Sequence, residues 1–356
     1  MNLFTKLVTL SKTNVVGTLL LAAFSLLVAG CGSSNDNTAA MAVAANAAAQ
    51  QQKIAATNTN IIQSSAMKLF RSGAVWGNVA GTAMLKTVFQ TYSSASGKSS
   101  NQNLYRYSVD TGGRLTKQKM VFGTSSSATA FSYDGATTRL KEINSDGYII
   151  AYTYDSSGRI SGYTRADDTP PTVYMTTTIV YDAAGRTETT SFTGTTNTIT
   201  YVYDTHNNMV SITDGTTSTR IVNTYDASGN WLTEKDYFKA SATASEVLTY
   251  ESICTYGPYG VLTTTETRYD STSGALTGST ATTNTYGSNG KVAQTSVVDK
   301  DAAGNVVQTS IKSFTYDANR NQLSQQGSSS NAAGAIYYSY YWNNTYITLV
   351  SGKDDQ

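Results

Sequence analysis

From Tyr105 onward, side chains of opposite character alternate with a period of two, in short runs that each close on a turn. In "TITYVYD", Ile199, Tyr201 and Tyr203 share one face while Thr198, Thr200 and Val202 share the other, and Ile150, Tyr152 and Tyr154 repeat the pattern. A period of two in β-branched and aromatic residues predicts half-buried strands. The runs end on a recurring unit, clearest in "YDSSGRI" (Tyr154), "YDAAGRT" (Tyr181), "YDTHNNM" (Tyr203) and "YDASGNWL" (Tyr225). Looser copies are "YSVDTGGRL", "YDGATTRL", "YGPYGVL", "YDSTSGAL", "YGSNGKV" and "YDANRNQL". Tyrosine spacings of 21 (Tyr133 to Tyr154), 27 (to Tyr181), 22 (to Tyr203) and 22 (to Tyr225) set a period of two strands and two turns.

The chemistry of the unit explains its order. Aspartate suits the first position of a turn because its carboxylate accepts from the backbone amides beyond it, and glycine supplies the left-handed residue of the adjoining bulge. The structural repeat residues are therefore Tyr154, Asp155 and Gly158; Tyr181, Asp182 and Gly185; Tyr203 and Asp204; and Tyr225, Asp226 and Gly229. A three-residue loop sets the register. Tyr154 then faces Ile160, Tyr203 faces Met209, Tyr225 faces Trp231, Tyr256 faces Leu262 and Tyr286 faces Val292, while Asp155 faces Arg159 and Asp182 faces Arg186 on the outside. The same register sets Tyr181 against Thr187 and Tyr316 against Gln322, which lack the apolar partner. Each inward aromatic pair contributes roughly 0.2 to 1 kcal/mol.

About eleven such turns imply about twenty strands, and open twisted sheets rarely exceed about ten without curling or splitting. The expected fold is all-β: one long antiparallel meander of hairpins, a curled sheet or β-solenoid-like coil, with Thr-rich outer faces and Ala, Val, Tyr and Trp inside. Residues 67–350 form this domain, with opening strands in Met67 to Tyr92, and 351–356 form a tail. Residues 31–66 read as a flexible or helical tether, because Thr38 to Ala56 is loaded with Ala and Gln and has helix propensity without a wide apolar stripe.

The three units "YDSSGRI", "YDAAGRT" and "TYDASGNWL" resemble the YD repeats of the Rhs family, found in bacterial polymorphic toxins, toxin-complex shells and teneurins. The resemblance spans about Tyr105 to Leu323 and implies antiparallel strands in a continuous curling sheet. Large members enclose a payload; this repeat region is much shorter, and the encapsulating role is not carried over.

At the other end, Lys6 and Lys12 precede the apolar run "VVGTLLLAAFSLLV" (Val15 to Val28) and then Ala29, Gly30 and Cys31. Roughly 14 residues are too few for a membrane span but match the h-region of an export signal. "LVAGC" resembles the lipobox of bacterial lipoproteins, which implies removal of residues 1–30 and lipid attachment at Cys31. Gly32 after Cys31 implies sorting to the outer membrane. An acylated Cys31 leaves Cys254 without an intramolecular disulfide partner.

Composition narrows the function. Charged residues are 14% of the 356, net charge is +1, and Lys and Arg are scattered singly, which excludes a nucleic-acid partner. The single histidine, His206, sits in a turn without an orienting partner, and Cys254 shares a strand face with Tyr256, as a buried structural thiol would. No zinc or calcium motif is present; the turn aspartates could gather calcium if turns stack at one rim, but capping accounts for them. Asp167 and Asp168 are adjacent in a loop-like "DDTPP" and point opposite ways, so they form no catalytic carboxylate pair. No cofactor is expected. The densest aromatic stretch, "AIYYSYYWNNTY" (Ala335 to Tyr346), sets Tyr338, Tyr340 and Trp342 on one face and Tyr337, Ser339 and Tyr341 on the other; it is either a doubly covered closing strand or a ligand face. The expectation is a lipid-anchored, non-enzymatic envelope protein acting as a scaffold, adhesion or binding module. Its partners are the membrane, through the lipid, and an envelope polysaccharide or surface protein. Carbohydrate binding through Tyr338, Tyr340 and Trp342 is the alternative, and hydrolysis a remote one.

Overall fold

A computed structural model of the chain describes residues 34–66, 81–94, 96–145 and 147–348. Helix α1 covers Ser34–Ser65. Twenty strands follow: β1 Ala83–Ser94, β2 Gly97–Val109, β3 Leu115–Phe122, β4 Ser125–Tyr133, β5 Leu140–Ser145, β6 Tyr148–Tyr154, β7 Ile160–Asp168, β8 Pro171–Tyr181, β9 Gly185–Phe192 and β10 Thr198–Asp204. The second ten are β11 Met209–Asp214, β12 Thr217–Tyr225, β13 Trp231–Lys239, β14 Val247–Gly257, β15 Gly260–Tyr269, β16 Leu276–Tyr286, β17 Val292–Asp301, β18 Val306–Tyr316, β19 Gln322–Asn331 and β20 Ile336–Thr348. The chain divides into two compact units, Met1–Ala55 and Ala56–Gln356, and the second contains every strand.

Each strand pairs antiparallel with its successor, and β1 pairs with both β2 and β20, Gln90 standing opposite Asn101 on one side and Trp342 on the other. The sheet is a closed 20-stranded antiparallel barrel. This corrects the expected curled or solenoid-like sheet, although all-β and the strand count hold. Closure satisfies the backbone donors and acceptors that an open meander leaves bare along its first and last strands. Hairpin chemistry is local, and nothing in it reports that the two ends of the meander meet.

The turn register holds where the loop has three residues. Tyr154 faces Ile160, Tyr203 faces Met209, Tyr225 faces Trp231, Tyr286 faces Val292 and Tyr316 faces Gln322. Asp155 caps its turn as expected: Oδ1 accepts from Ser157 N at 2.9 Å and Arg159 N at 3.0 Å, while Oδ2 pairs with Arg159 Nε at 2.7 Å. Two turns are one residue tighter. Asp182 N donates to Gly185 O at 3.1 Å and Tyr181 pairs with Arg186 rather than Thr187; likewise Tyr256 pairs with Val261, not Leu262. A one-residue slip moves side chains to the opposite face, so Arg186 does not meet Asp182 outside. It enters the lumen, 2% exposed.

The units also interlock with their neighbours. Tyr154 OH donates to Leu140 O at 2.6 Å, Tyr181 OH to Ile160 O at 2.7 Å, Tyr256 OH to Trp231 O at 2.7 Å and Tyr316 OH to Val292 O at 2.9 Å. Each carbonyl belongs to the first residue of the return strand one hairpin back. The arginine of one unit also lies over the tyrosine of the next, Arg159 at 4.2 Å from the Tyr181 ring and Arg186 at 3.7 Å from Tyr203, a cation–π contact. Tyrosine therefore does more than fill the interior: its hydroxyl fastens successive hairpins around the wall.

The two faces of the wall differ. Thr176, Thr178, Thr187 and Thr189 stand outside, and at mid-strand Lys235 meets Glu251 across β13 and β14 at 2.9 Å. The outer phase mixes these with exposed apolar side chains, among them Phe89, Val180, Val222, Ile253 and Ile311. Among the described residues no helix is long and apolar enough to cross a membrane. Inside, Tyr105, Tyr107, Ile143, Ile150, Tyr152, Ile160 and Ile179 form a core around Ile61 and Ile62 of α1. The helix thus outruns the expected Thr38 to Ala56, and from Thr57 it packs within the barrel instead of serving reach alone.

Candidate functional site in the barrel lumen

Three lumenal features follow from this geometry: a plugged sector, an aromatic seam and an acidic wall. The plug is the end of α1. Asn58 reads the backbone at the β6–β7 turn, donating to Gly158 O at 2.9 Å and accepting from Ile160 N at 2.9 Å. Two residues on, Asn60 Oδ1 accepts from Arg186 Nη2 at 2.7 Å. Arg186 is engaged on every side, with Nε on Glu188 Oε1 at 2.7 Å and Nη1 on Asn207 Oδ1 at 2.7 Å. Asn207 holds φ +65°, the left-handed turn position that Gly158 fills two units earlier, and this leaves its amide at the rim to accept that bond. Deeper in, Ser65 Oγ and Tyr152 OH lie 2.8 Å apart and Arg165 donates to the Ser65 carbonyl. Burial pushes the Glu188 carboxyl up while the Arg186 charge and hydrogen bond pull it down, and burial wins.

The seam is where β1 closes on β20. Tyr338, Tyr340 and Trp342 face the lumen there, joined by Tyr92 from β1. Ring centroids lie 6.2 Å apart for Tyr92 and Tyr338, 6.0 Å for Tyr338 and Tyr340, and 5.3 Å for Tyr340 and Trp342, all tilted. Tyr340 lies across β19 at Gly327, where an added Cβ would stand 2.6 Å from the ring. Its hydroxyl accepts from Gln325 Nε2 at 2.6 Å, and Tyr92 OH donates to Gln90 Oε1 at 2.8 Å. Trp342 Nε1 is buried with no hydrogen-bond partner. The rings are half-buried; the lumenal positions beside them on β1, β2 and β19 (Gln90, Ser94, Asn101, Gln325, Ser329) are uncharged, and Lys312 of β18 stands on the same face across Gly327. Outside the same seam, Ser93, Ser328, Ser339 and the 42% exposed Tyr341 line a shallow groove of about 790 Å³.

On the acidic wall, Glu234 and Asp236 of β13 and Glu266 of β15 point inward, with Ser252 of β14 between Glu234 and Glu266 in one cross-strand row. Burial first, then repulsion from Asp236 and Glu266, pushes Glu234 up to about 7; burial pushes Asp236 up to about 6. Arg268 of β15 donates to Thr280 Oγ1 at 2.8 Å, and Thr280 donates to Asp299 Oδ1 at 2.5 Å.

The structure thus puts Tyr338, Tyr340 and Trp342 together on the inner face, and it is Tyr337 and Tyr341 that stand outside. Cys31 and the signal segment lie outside the described residues. Of the repeat residues, Asp155, Asp204 and Asp226 each cap their own turn; the Asn230 side chain, then the turn amides, hold Asp226 below the ordinary carboxylate range. The turns at Asp155, Asp182, Asp204, Asp226 and Asp317 share one rim, whereas those at Asp270 and Asp301 lie at the other. No group of three acidic, histidine or cysteine side chains placed to hold a metal occurs among the described residues. Cys254 is buried, 3.4 Å from Thr264 Oγ1, with burial raising its thiol. His206 does have a neighbour, stacking on Tyr225 at 4.4 Å. The strand runs on through Asp167 and Asp168, and the turn itself is Thr169 and Pro170.

Sequence reasoning missed Arg186, Asn60, Glu188 and the acidic wall. One signal was present for the last: in "WLTEKDYF", Glu234 and Asp236 alternate in phase with Phe238, so the apolar phase of β13 carries two carboxylates.

No protein-family model and no curated protein matches the chain. Among solved structures, a porin-like protein from Bacteroides uniformis is 11% identical over 74% of this chain and 98% of its own, with a TM-score of 0.32. A porin of Rh. blastica is 9% identical over 75% of this chain and 100% of its own, with a TM-score of 0.31. The Photorhabdus luminescens Tc holotoxin pore is 14% identical over 72% of this chain but 17% of its own, with a TM-score of 0.21.

Proposed function

We propose that this chain is a non-catalytic, lipid-tethered envelope protein whose barrel is a binding module for a hydroxyl-rich chain, a glycan, held in the lumen along the seam. The observation that carries the reading is the row Tyr92, Tyr338, Tyr340 and Trp342. Four half-buried rings stand in a wall of amides and hydroxyls whose one charged position beside them is Lys312, across Gly327, and one buried indole N–H lacks a partner. Flat aromatic faces cover sugar rings, and amide and hydroxyl groups exchange hydrogen bonds with sugar hydroxyls; a polar pocket rejects ligands that leave its groups unpaired. Outer ion pairs such as Lys235 with Glu251 and Arg220 with Glu246 suit a domain held at the outer membrane by an acylated Cys31. The hairpin units fit an Rhs-like YD-repeat kinship, which we hold as part of the same proposal.

The test is co-sedimentation of the full protein with peptidoglycan and with polysaccharide from the host envelope. A Tyr338, Tyr340 and Trp342 triple alanine variant is compared with Tyr341→Ala, which removes a ring only from the outer groove. Binding lost in the triple variant and kept in Tyr341→Ala, at unchanged circular dichroism, is the expected result. Binding that survives the triple variant removes the seam from the account. Binding by neither the native chain nor the variants leaves a scaffold or adhesion role toward another surface protein.

A further inference from the structure

The acidic wall deepens this reading and rests on it. Glu234, Asp236 and Glu266 face the lumen, and none joins an ion pair within 4.0 Å among the described residues. The cations on this side are engaged elsewhere or face outward: Arg268 bonds Thr280, and Lys235 pairs with Glu251 on the outer face. Carboxylates that lose water without gaining a counter-ion are destabilising unless they take up a proton, and a bound cation would relieve the same cost. A second, independent observation points the same way. Ser252, between Glu234 and Glu266 in the same row, is 0% exposed, and its Oγ has no hydrogen-bond partner within 3.5 Å, its nearest polar neighbour being the Tyr250 hydroxyl; Asp236 Oδ1 is likewise buried and unpaired.

We propose that this wall binds a primary ammonium group carried by the ligand, so that the glycan held along the seam is one bearing free amines. An ammonium has three donors and no acceptor, which suits two carboxylates and a hydroxyl. A single metal ion does not suit the wall. Strands lie about 4.8 Å apart, so the Glu234 and Glu266 backbones stand roughly 10 Å from each other, and no three acidic groups among the described residues are placed to share one metal ion.

The experiment uses the full chain and three probes in calorimetric titrations at low salt: a glucosamine hexamer, its fully N-acetylated counterpart and spermine. The inference expects the amine hexamer to bind at least tenfold more tightly than the acetylated one. The preference should vanish in Glu234→Gln/Asp236→Asn and persist in Glu251→Gln, which alters only the outer face. Equal binding of the two hexamers, or a preference unchanged in the double variant, overturns the inference and leaves the glycan reading standing. Spermine binding that depends on Glu234 and Asp236, with neither hexamer bound, keeps the ammonium site and overturns the glycan reading. Binding of none of the three overturns both. Shortening of the hexamers also overturns the inference, since a wall that only holds an ammonium leaves glycosidic bonds intact.

Discussion

Removing Arg186 is the most informative single perturbation of the barrel. In Arg186→Met the aliphatic stem stays and the guanidinium goes, together with its 2.7 Å bonds to Glu188, Asn207 and Asn60 and its stacking on Tyr203. Glu188, whose side chain is 3% exposed, then keeps a buried charge with no partner. Breaking a buried pair from one side costs about 3 to 5 kcal/mol. With an unfolding entropy of about 2.1 cal/mol/K per residue over about 300 residues, that corresponds to a drop in Tm of roughly 5 to 8 °C. The sign with pH follows from Glu188. Its carboxyl already lies above the ordinary range through burial, and losing Arg186 removes both influences that lower it. An acid whose folded value exceeds its unfolded value binds more protons when folded, so the variant regains stability as pH falls through the folded value toward the unfolded one. Melting of the native chain, Arg186→Met, Glu188→Gln and the double variant at pH 8 and pH 5 reads this directly. The double variant should recover much of the loss, giving a coupling energy of about 1 to 3 kcal/mol. A loss under about 1 kcal/mol at pH 8, or an equal loss at both pH values, would refute the claim that this pair anchors the plug.

Two further outcomes follow from the same geometry. Gly185→Val should unfold its hairpin, because Gly185 holds φ +147° and an added Cβ would stand 2.0 Å from Tyr203 O; the same change at Gly194, which shares the strain of a positive φ (+81°) but has open space around it, should cost less, and equal melting of the two would sink the close-approach argument. Cys31→Ser should release the processed chain from membranes in fractionation, and a variant still sedimenting with them would end the lipid-tether proposal.

The hairpin unit was legible in the sequence because every part of it is local. Alternation sets the strand faces, Asp155 reaches amides two and four residues ahead, and the residue count of the loop sets which partner Tyr154 meets. Even the failures were local: Tyr181 and Tyr256 slipped by one residue because two-residue and three-residue loops share the same Tyr and, four residues on, the same Gly. The twenty-strand count followed from the turns. What the sequence could not contain was any contact between residues far apart in the chain. Closure joins Gln90 to Trp342, and it decides that Tyr338 and Tyr340 look inward. The plug joins Asn60 to Arg186, and it turns a stretch that reads as tether into core. The acidic wall needs three strands side by side before Glu234, Ser252 and Glu266 form one row. Period and turn chemistry act over a few residues and are written in the chain, whereas the inside of a barrel exists only once its two ends have met.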